Sequence, residues 1–187
     1  VEALRLELEE TGRASELARS TGTTRFENLD AAVVRRGSTE LIAVHSFRGG
    51  NGKSSLTANL AALMAMAGQR VGVIDADIQS PGVHLLLGLA GKTLGHTLDD
   101  YLLGNCNLDQ LVVDVTAHLG AQVAGRLLLV PASLNPGTMA QVLSQGYDAQ
   151  RLTRCFNELG EALSLDTLLI DTHPGLNEEA LLTMRAV

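Results

Sequence analysis

Arg48-Gly49-Gly50-Asn51-Gly52-Lys53-Ser54 sets three glycines, a lysine and a hydroxyl within seven positions. Phosphate oxygens need many donors at close range. Glycines supply them by letting backbone N–H groups turn inward with no Cβ in the way. Lys53 would bring an ammonium beside the β- and γ-phosphates, and the Ser54 hydroxyl would suit Mg2+. Ser55 continues the run into a helix, whose N-terminus adds the positive end of its dipole. The match to G-x-x-x-x-G-K-[ST] lapses at one position, because Phe47 stands where the first glycine belongs. Phe47 either packs against the loop in place of that glycine or narrows the cradle.

Acidic residues supply the second half of such a chemistry. Asp75-Ala76-Asp77 follows the apolar run Val71–Ile74, and Asp171 follows Leu168-Leu169-Ile170. All three carboxylates should emerge at the carboxyl edge of a sheet, where open α/β folds bind ligands. A carboxylate placed there can hold a Mg2+ water or orient an attacking one. One aspartate at a strand end is usually a turn former; three beside a phosphate loop point to a site.

These residues require strands and helices in alternation. Leu41–His45, Val71–Ile74, Leu111–Val115, Leu127–Val130 and Leu168–Ile170 have the short apolar character of buried strands. Between them, Ser55–Ala67 reads as helix with Gly68 near its end, and Thr138–Leu163 as helix interrupted near Gly146. Asn177 is placed to cap a last helix. Strands alternating with helices imply a three-layer α/β/α fold around a mostly parallel sheet. The composition agrees: 45% of residues are hydrophobic, only 3% aromatic and none Trp, so Leu, Val, Ile and Ala must build the core.

The chain has 187 residues, enough for one domain, and a formal net charge of −7. Residues 1–38 differ from the rest, with mixed charges and a ragged apolar period; they read as a solvated extension or linker ahead of a core spanning 39–187. After Thr39 the basic residues are scattered singly, which argues against a broad nucleic-acid surface. Cys106 and Cys155 lie in no ligand spacing and read as free thiols of a reducing compartment. No apolar run approaches the ~20 residues of a membrane span, and the expected location is cytoplasmic. A start at Val1 and an end inside helical sequence suggest a piece of a longer protein, with the sheet truncated at its C-terminal side.

At these residues the chain resembles the ParA/MinD family of P-loop ATPases, which carry a deviant Walker A motif, Lys-Gly-Gly-x-Gly-Lys-[Ser/Thr], and the MinD-like branch in particular. The resemblance covers about residues 40–187 through Arg48–Ser55, Val73–Leu89 with its Asp-x-Asp, and Thr167–Gly175 with Asp-Thr-His-Pro-Gly. Leu127–Ser133 is similar to the family's Pro-Ala-Ser strand end. The resemblance implies binding of ATP and Mg2+, face-to-face dimerisation around two nucleotides, and slow hydrolysis stimulated by a partner protein. It implies a nucleotide cradle of Gly49, Gly50, Asn51, Gly52, Lys53, Ser54 and Ser55. Metal would be held by Ser54 and the Walker B carboxylate Asp171, with Asp75 nearby. Lys53 would act on phosphate, and Asp77 would position or activate the attacking water. Arg48 occupies the position of the signature lysine that reaches the other subunit's phosphates; a guanidinium can donate bidentately, with a different geometry from an ammonium. His173 falls in the loop expected to sense the γ-phosphate, where a tolerated exposed side chain is the plainer reading and a switch element the sharper one.

The implied role is an ATP-driven switch for positioning or partitioning cellular cargo, at a membrane or on the nucleoid. Contact with membrane or DNA would come through the C-terminal part of the family fold. Asp77-Ile78-Gln79-Ser80-Pro81 also resembles the switch segment of Mrp-type iron–sulfur scaffold ATPases, whose paired-cysteine motif is not among these residues. A nucleotide-holding adaptor without turnover is the third reading, suggested by Phe47 and Arg48.

Overall fold

The computed structural model describes residues 38–91, 94–120, 123–175 and 178–185. Residues 1–37 of the expected 1–38 extension and the Asn177 cap lie outside the described residues.

Five strands form one sheet: β1 (Glu40–Val44), β2 (Arg70–Ala76), β3 (Val113–Asp114), β4 (Arg126–Val130) and β5 (Thr167–Thr172). Their order is β1-β5-β2-β4-β3. β5 therefore lies between β1 and β2, and pairs in parallel with both. In that register Asp171 stands opposite Val44 on one side and Asp75 on the other. Two of the three expected carboxylates are thus lateral neighbours by strand pairing alone.

Every residue of β5 is buried, which fits a strand covered on both faces. Helix α1 (Lys53–Met66) covers one face; its buried Ala58, Ala61 and Ala65 pack with Val71, Val73, Leu127, Leu129 and Leu169. Small side chains at helical spacing let the helix lie close to the sheet. Alternation along the strands turns Ile74, Leu128, Leu168 and Ile170 to the opposite face. The helix contacting β5 from outside the α1 cluster is α5 (Ala149–Ala162), with Leu152, Cys155, Phe156 and Leu159 buried.

Four further α-helices are described, α2 (Val83–Leu86), α3 (Leu98–Leu102), α4 (Pro136–Gln145) and α6 (Glu178–Arg185), with short 3-10 turns at Leu108–Gln110 and Thr116–Leu119. The expected interruption at Gly146 separates α4 from α5. Asp148 caps α5, accepting from the Gln150 amide at 2.8 Å. The sheet is mostly parallel, as expected, with one antiparallel pairing at an edge. The strand expected over Leu111–Val115 shrinks to the two residues of β3, which pairs antiparallel with β4. Only residues 115–125 connect the two, and a parallel crossover needs about a dozen residues or more, usually with a helix.

Candidate functional site

The loops leaving β1, β2 and β5 meet at the carboxyl edge of the sheet. After β1 the chain enters Ser46–Gly52, where Gly50 and Gly52 adopt φ of 78° and 75°. A side chain in that left-handed region costs about 1–2 kcal/mol, so the two glycines set the loop's path. Position 47 needs no such freedom, because the only positive-φ residue other than glycine among those described is Ser164. That is why Phe47 is accommodated. It is 73% exposed, with its ring edge-on to His45 at 5.8 Å, so it neither fills the loop nor lies buried in it.

Gly52 is the N-cap of α1, and no side chain bonds the first-turn amides there. Those amides and the dipole end await an acceptor from outside the helix, which favours an anion. Arg48, Gly49, Asn51 and Ser55 are exposed around this point. Ser46 Oγ donates to the Arg48 carbonyl at 2.9 Å, bracing the start of the loop.

Lys53, the first residue of α1, turns inward. Its side chain is 7% exposed, with Nζ 3.4 Å from Asp171 Oδ1 and 3.8 Å from Asp77 Oδ2. Ser54 Oγ donates to Asp171 Oδ2 at 2.6 Å, and Thr57 Oγ1 lies 3.0 Å from Asp171 Oδ1. Asp171 is itself fully buried. Asp77 Oδ1 accepts from the Ser80 amide at 3.1 Å and lies 2.7 Å from His173 Nδ1.

Asp75, expected near the metal, lies opposite Asp171 in the sheet and directs its carboxylate to backbone amides. It is fully buried, and its Oδ2 accepts from the amides of Gly82 and Val83 at 3.0 and 3.1 Å. Its Oδ1 faces the Asp77 amide at 3.3 Å. Burial, reinforced by the Asp171 charge, pushes its carboxyl up to about 7 against the pull of those amides. With its oxygens on the backbone, Asp75 shapes the loop that carries Asp77.

Two features of the site escaped the sequence reading, and a third, His173, was placed in its loop without its partner. Thr57 follows Lys53 by four residues, the helical spacing that puts both on one face, and a buried Thr in an Ala-rich helix was the available signal. His173 is part-buried at 17% side-chain exposure and bonded to Asp77, in place of the exposed side chain taken as the plainer reading. His45 pairs its Nδ1 with Thr172 Oγ1 at 3.0 Å, a cross-strand contact that no local pattern announces.

Asp77 and Asp171 face the single ammonium of Lys53, leaving an excess of acid that suits a divalent cation. Among the described residues no three His, Cys, Asp or Glu cluster as a metal cage. Mg2+ asks for none, since it takes one or two protein ligands and completes its shell from phosphate and water. The hydroxyl–carboxylate pair Ser54–Asp171, beside an uncapped helix start, fits Mg2+ with a nucleotide phosphate.

Comparison with known proteins agrees with this geometry. The family model for ParA, described as NUBPL iron-transfer P-loop NTPase, matches residues 37–187. The antiactivator FleN of Pseudomonas aeruginosa is 33% identical over 147 residues, 79% of this chain and 47% of that protein. An iron–sulfur cluster carrier protein of Saccharolobus solfataricus is 33% identical over 140 residues, 75% of this chain and 42% of its own. Among solved structures, the septum site-determining protein MinD of Pyrococcus horikoshii, complexed with Mg-ADP, superposes with a TM-score of 0.64 at 25% identity. That match covers 79% of this chain and 54% of the MinD chain, so the chain spans about half the length of the relatives it matches. The motif order, the sheet and the family match agree: this chain belongs to the ParA family of P-loop NTPases.

Proposed function

We propose that this chain binds Mg-ATP at the Gly49–Ser55 cradle and belongs to an ATPase switch that dimerises with nucleotide and positions cellular cargo. The observation that carries this reading is Lys53, buried at an uncapped helix start between two carboxylates. An incoming phosphate competes with Asp171 and Asp77 for the ammonium, with the Gly50 and Gly52 turns directing amides to the same place. Ser54 and Asp171 would hold Mg2+, which when bound neutralises charge on the β- and γ-phosphate oxygens. Asp77, once relieved of Lys53, has a carboxylate oxygen free to accept a hydrogen bond from the attacking water. Arg48 is exposed at the cradle's rim, where a second subunit's phosphates would meet it across a nucleotide-bridged homodimer. Slow turnover raised by an activating partner, and a cytoplasmic location at membrane or nucleoid, complete the proposal.

An iron–sulfur scaffold is the second reading, supported by the Saccharolobus relative and the family description. Cys106 and Cys155 are both buried, and burial pushes their thiols upward, the Cys106 thiol to about 11. That disfavours the thiolates a cluster needs.

Calorimetry on the full-length protein tests the main reading, with Lys53→Ala alongside and GTP as competitor. Micromolar Mg-ATP binding that Lys53→Ala abolishes supports it, and absence of binding to the wild type defeats it. Phosphate release that vanishes in Asp77→Ala while ATP binding survives supports hydrolysis. Equal release from wild type and Asp77→Ala leaves a nucleotide-holding adaptor.

A further inference from the structure

The loop after β5 touches both other loops of the site. Gly175 donates its amide to the Ser46 carbonyl at 2.9 Å, and Thr172 pairs with His45, so residues 172–175 are bonded to the cradle. From the same loop His173 reaches the loop after β2 and places Nδ1 2.7 Å from Asp77 Oδ1. An ionised carboxylate only accepts, so Nδ1 carries the proton whether the ring is neutral or charged.

Asp77 is thereby divided between two tasks. Its Oδ1 is clamped by His173 and by the Ser80 amide at 3.1 Å, and its Oδ2 faces Lys53 at 3.8 Å. The terminal torsion of an aspartate is broad and roughly two-fold. With one amide alone on Oδ1 the carboxylate would turn, and which oxygen meets the water site would no longer be fixed. We infer that His173 is the positioning residue for Asp77, donating from Nδ1 to hold its free oxygen toward the reacting phosphate. Because the His173 loop is bonded to Ser46, the clamp also ties the orientation of Asp77 to the state of the cradle. This rests on the hydrolysis reading above.

The test is steady-state ATP turnover with parallel calorimetry on the full-length protein, for wild type, His173→Asn and His173→Gln. An asparagine amide reproduces a donor near the Nδ1 position, whereas glutamine carries its donor to the place of Nε2. The expected result is a kcat about tenfold or more lower in His173→Gln with KM and ATP affinity nearly unchanged, and recovery of most of that loss in His173→Asn. Equal kcat in all three proteins overturns the inference. So does a loss shared equally by both variants, or one matched by lost ATP affinity, since either marks a merely structural side chain. A wild type that binds ATP without turnover overturns the hydrolysis reading and this inference together. Turnover indifferent to His173→Gln overturns this inference alone.

Discussion

Two aspartates bracket strand β5, Asp166 just before its start and Asp171 near its end, and they are used in opposite ways. At the amino end, Asp166 accepts from the Arg70 amide through Oδ2 at 2.8 Å, while its own amide donates to the Arg70 carbonyl at 2.9 Å. Its carbonyl accepts from Glu40 at 2.9 Å, and Arg70 in turn reaches the Leu163 carbonyl. Each of these bonds has a backbone group as partner, and together they join β1, β5 and β2 at their starts. At the carboxyl end, Asp171 is fully buried and meets the side chains of Lys53, Ser54 and Thr57. Side-chain donors can be reassigned to a ligand without moving the fold, whereas backbone donors cannot. Partner type, more than position, therefore separates site from scaffold. By that measure Asp75 sorts with Asp166, although it lies beside Asp171 in the sheet.

The severest way to break this comparison is Asp171→Ala. It leaves the Lys53 ammonium buried with Asp77 alone, at 3.8 Å, and strips Ser54 of its acceptor, while Thr57 keeps the Lys53 carbonyl at 3.0 Å. Losing one partner of a buried ion pair costs about 3–5 kcal/mol. Chemical denaturation should show a loss of that order, with Mg-ATP binding lost as well. A destabilisation below about 1 kcal/mol would mean that the carboxyl end stores no such tension.

Asp75 sharpens the comparison through pH. Its carboxyl stands at about 7 in the folded state against 3.8 unfolded, so the folded protein holds the proton more tightly between those values. Stability contributed by this group is present below pH 4 and is lost as pH rises through 7, bounded at about 4 kcal/mol. The nucleotide-free protein should therefore melt lower at pH 8 than at pH 5. Asp75→Asn should flatten that slope; a slope unchanged in the variant would remove Asp75 from the account.

Legibility followed the same division. Gly50, Gly52, Lys53 and Ser54 were readable because a phosphate loop is written in consecutive residues, and β2 and β5 because buried strands are continuous apolar runs. A shared carboxyl edge for Asp75 and Asp171 was implied by the parallel sheet, but neither their lateral pairing nor the partner of each carboxylate was. Whether Asp75 faces a metal or the amides of Gly82 and Val83 depends on a turn whose path no spacing encodes. The His173–Asp77 bond joins residues 96 apart in sequence, and the antiparallel β3 follows from the short run back to β4 rather than from its own residues.

At the cradle, Gly50→Ala should cost about 1–2 kcal/mol for its φ of 78°, since no neighbour lies within 4 Å of the added Cβ. Because space is free, the loss measures backbone strain alone. Thermal melting should record it, and Mg-ATP affinity should fall in step because strain relaxes the amides away from the phosphates. Affinity unchanged despite lost stability would show that the cradle tolerates a different path at this residue.

The smallest effect belongs to the amino end of β5. Asp166→Ala removes one exposed carboxylate from the Arg70 amide, while the backbone pairs between Asp166, Arg70 and Glu40 remain. A hydrogen bond of this kind contributes about 0.5–1.5 kcal/mol, and water can replace the lost acceptor. Urea denaturation should therefore register about 1 kcal/mol or less. Mg-ATP affinity and turnover should stay at wild-type values, because no donor of the site changes hands. A measurable loss of nucleotide binding in Asp166→Ala would break the division between the two ends of β5. It would mean that strand alignment at the amino edge governs how Asp171 meets Lys53, and that the scaffold cannot be altered without altering the site.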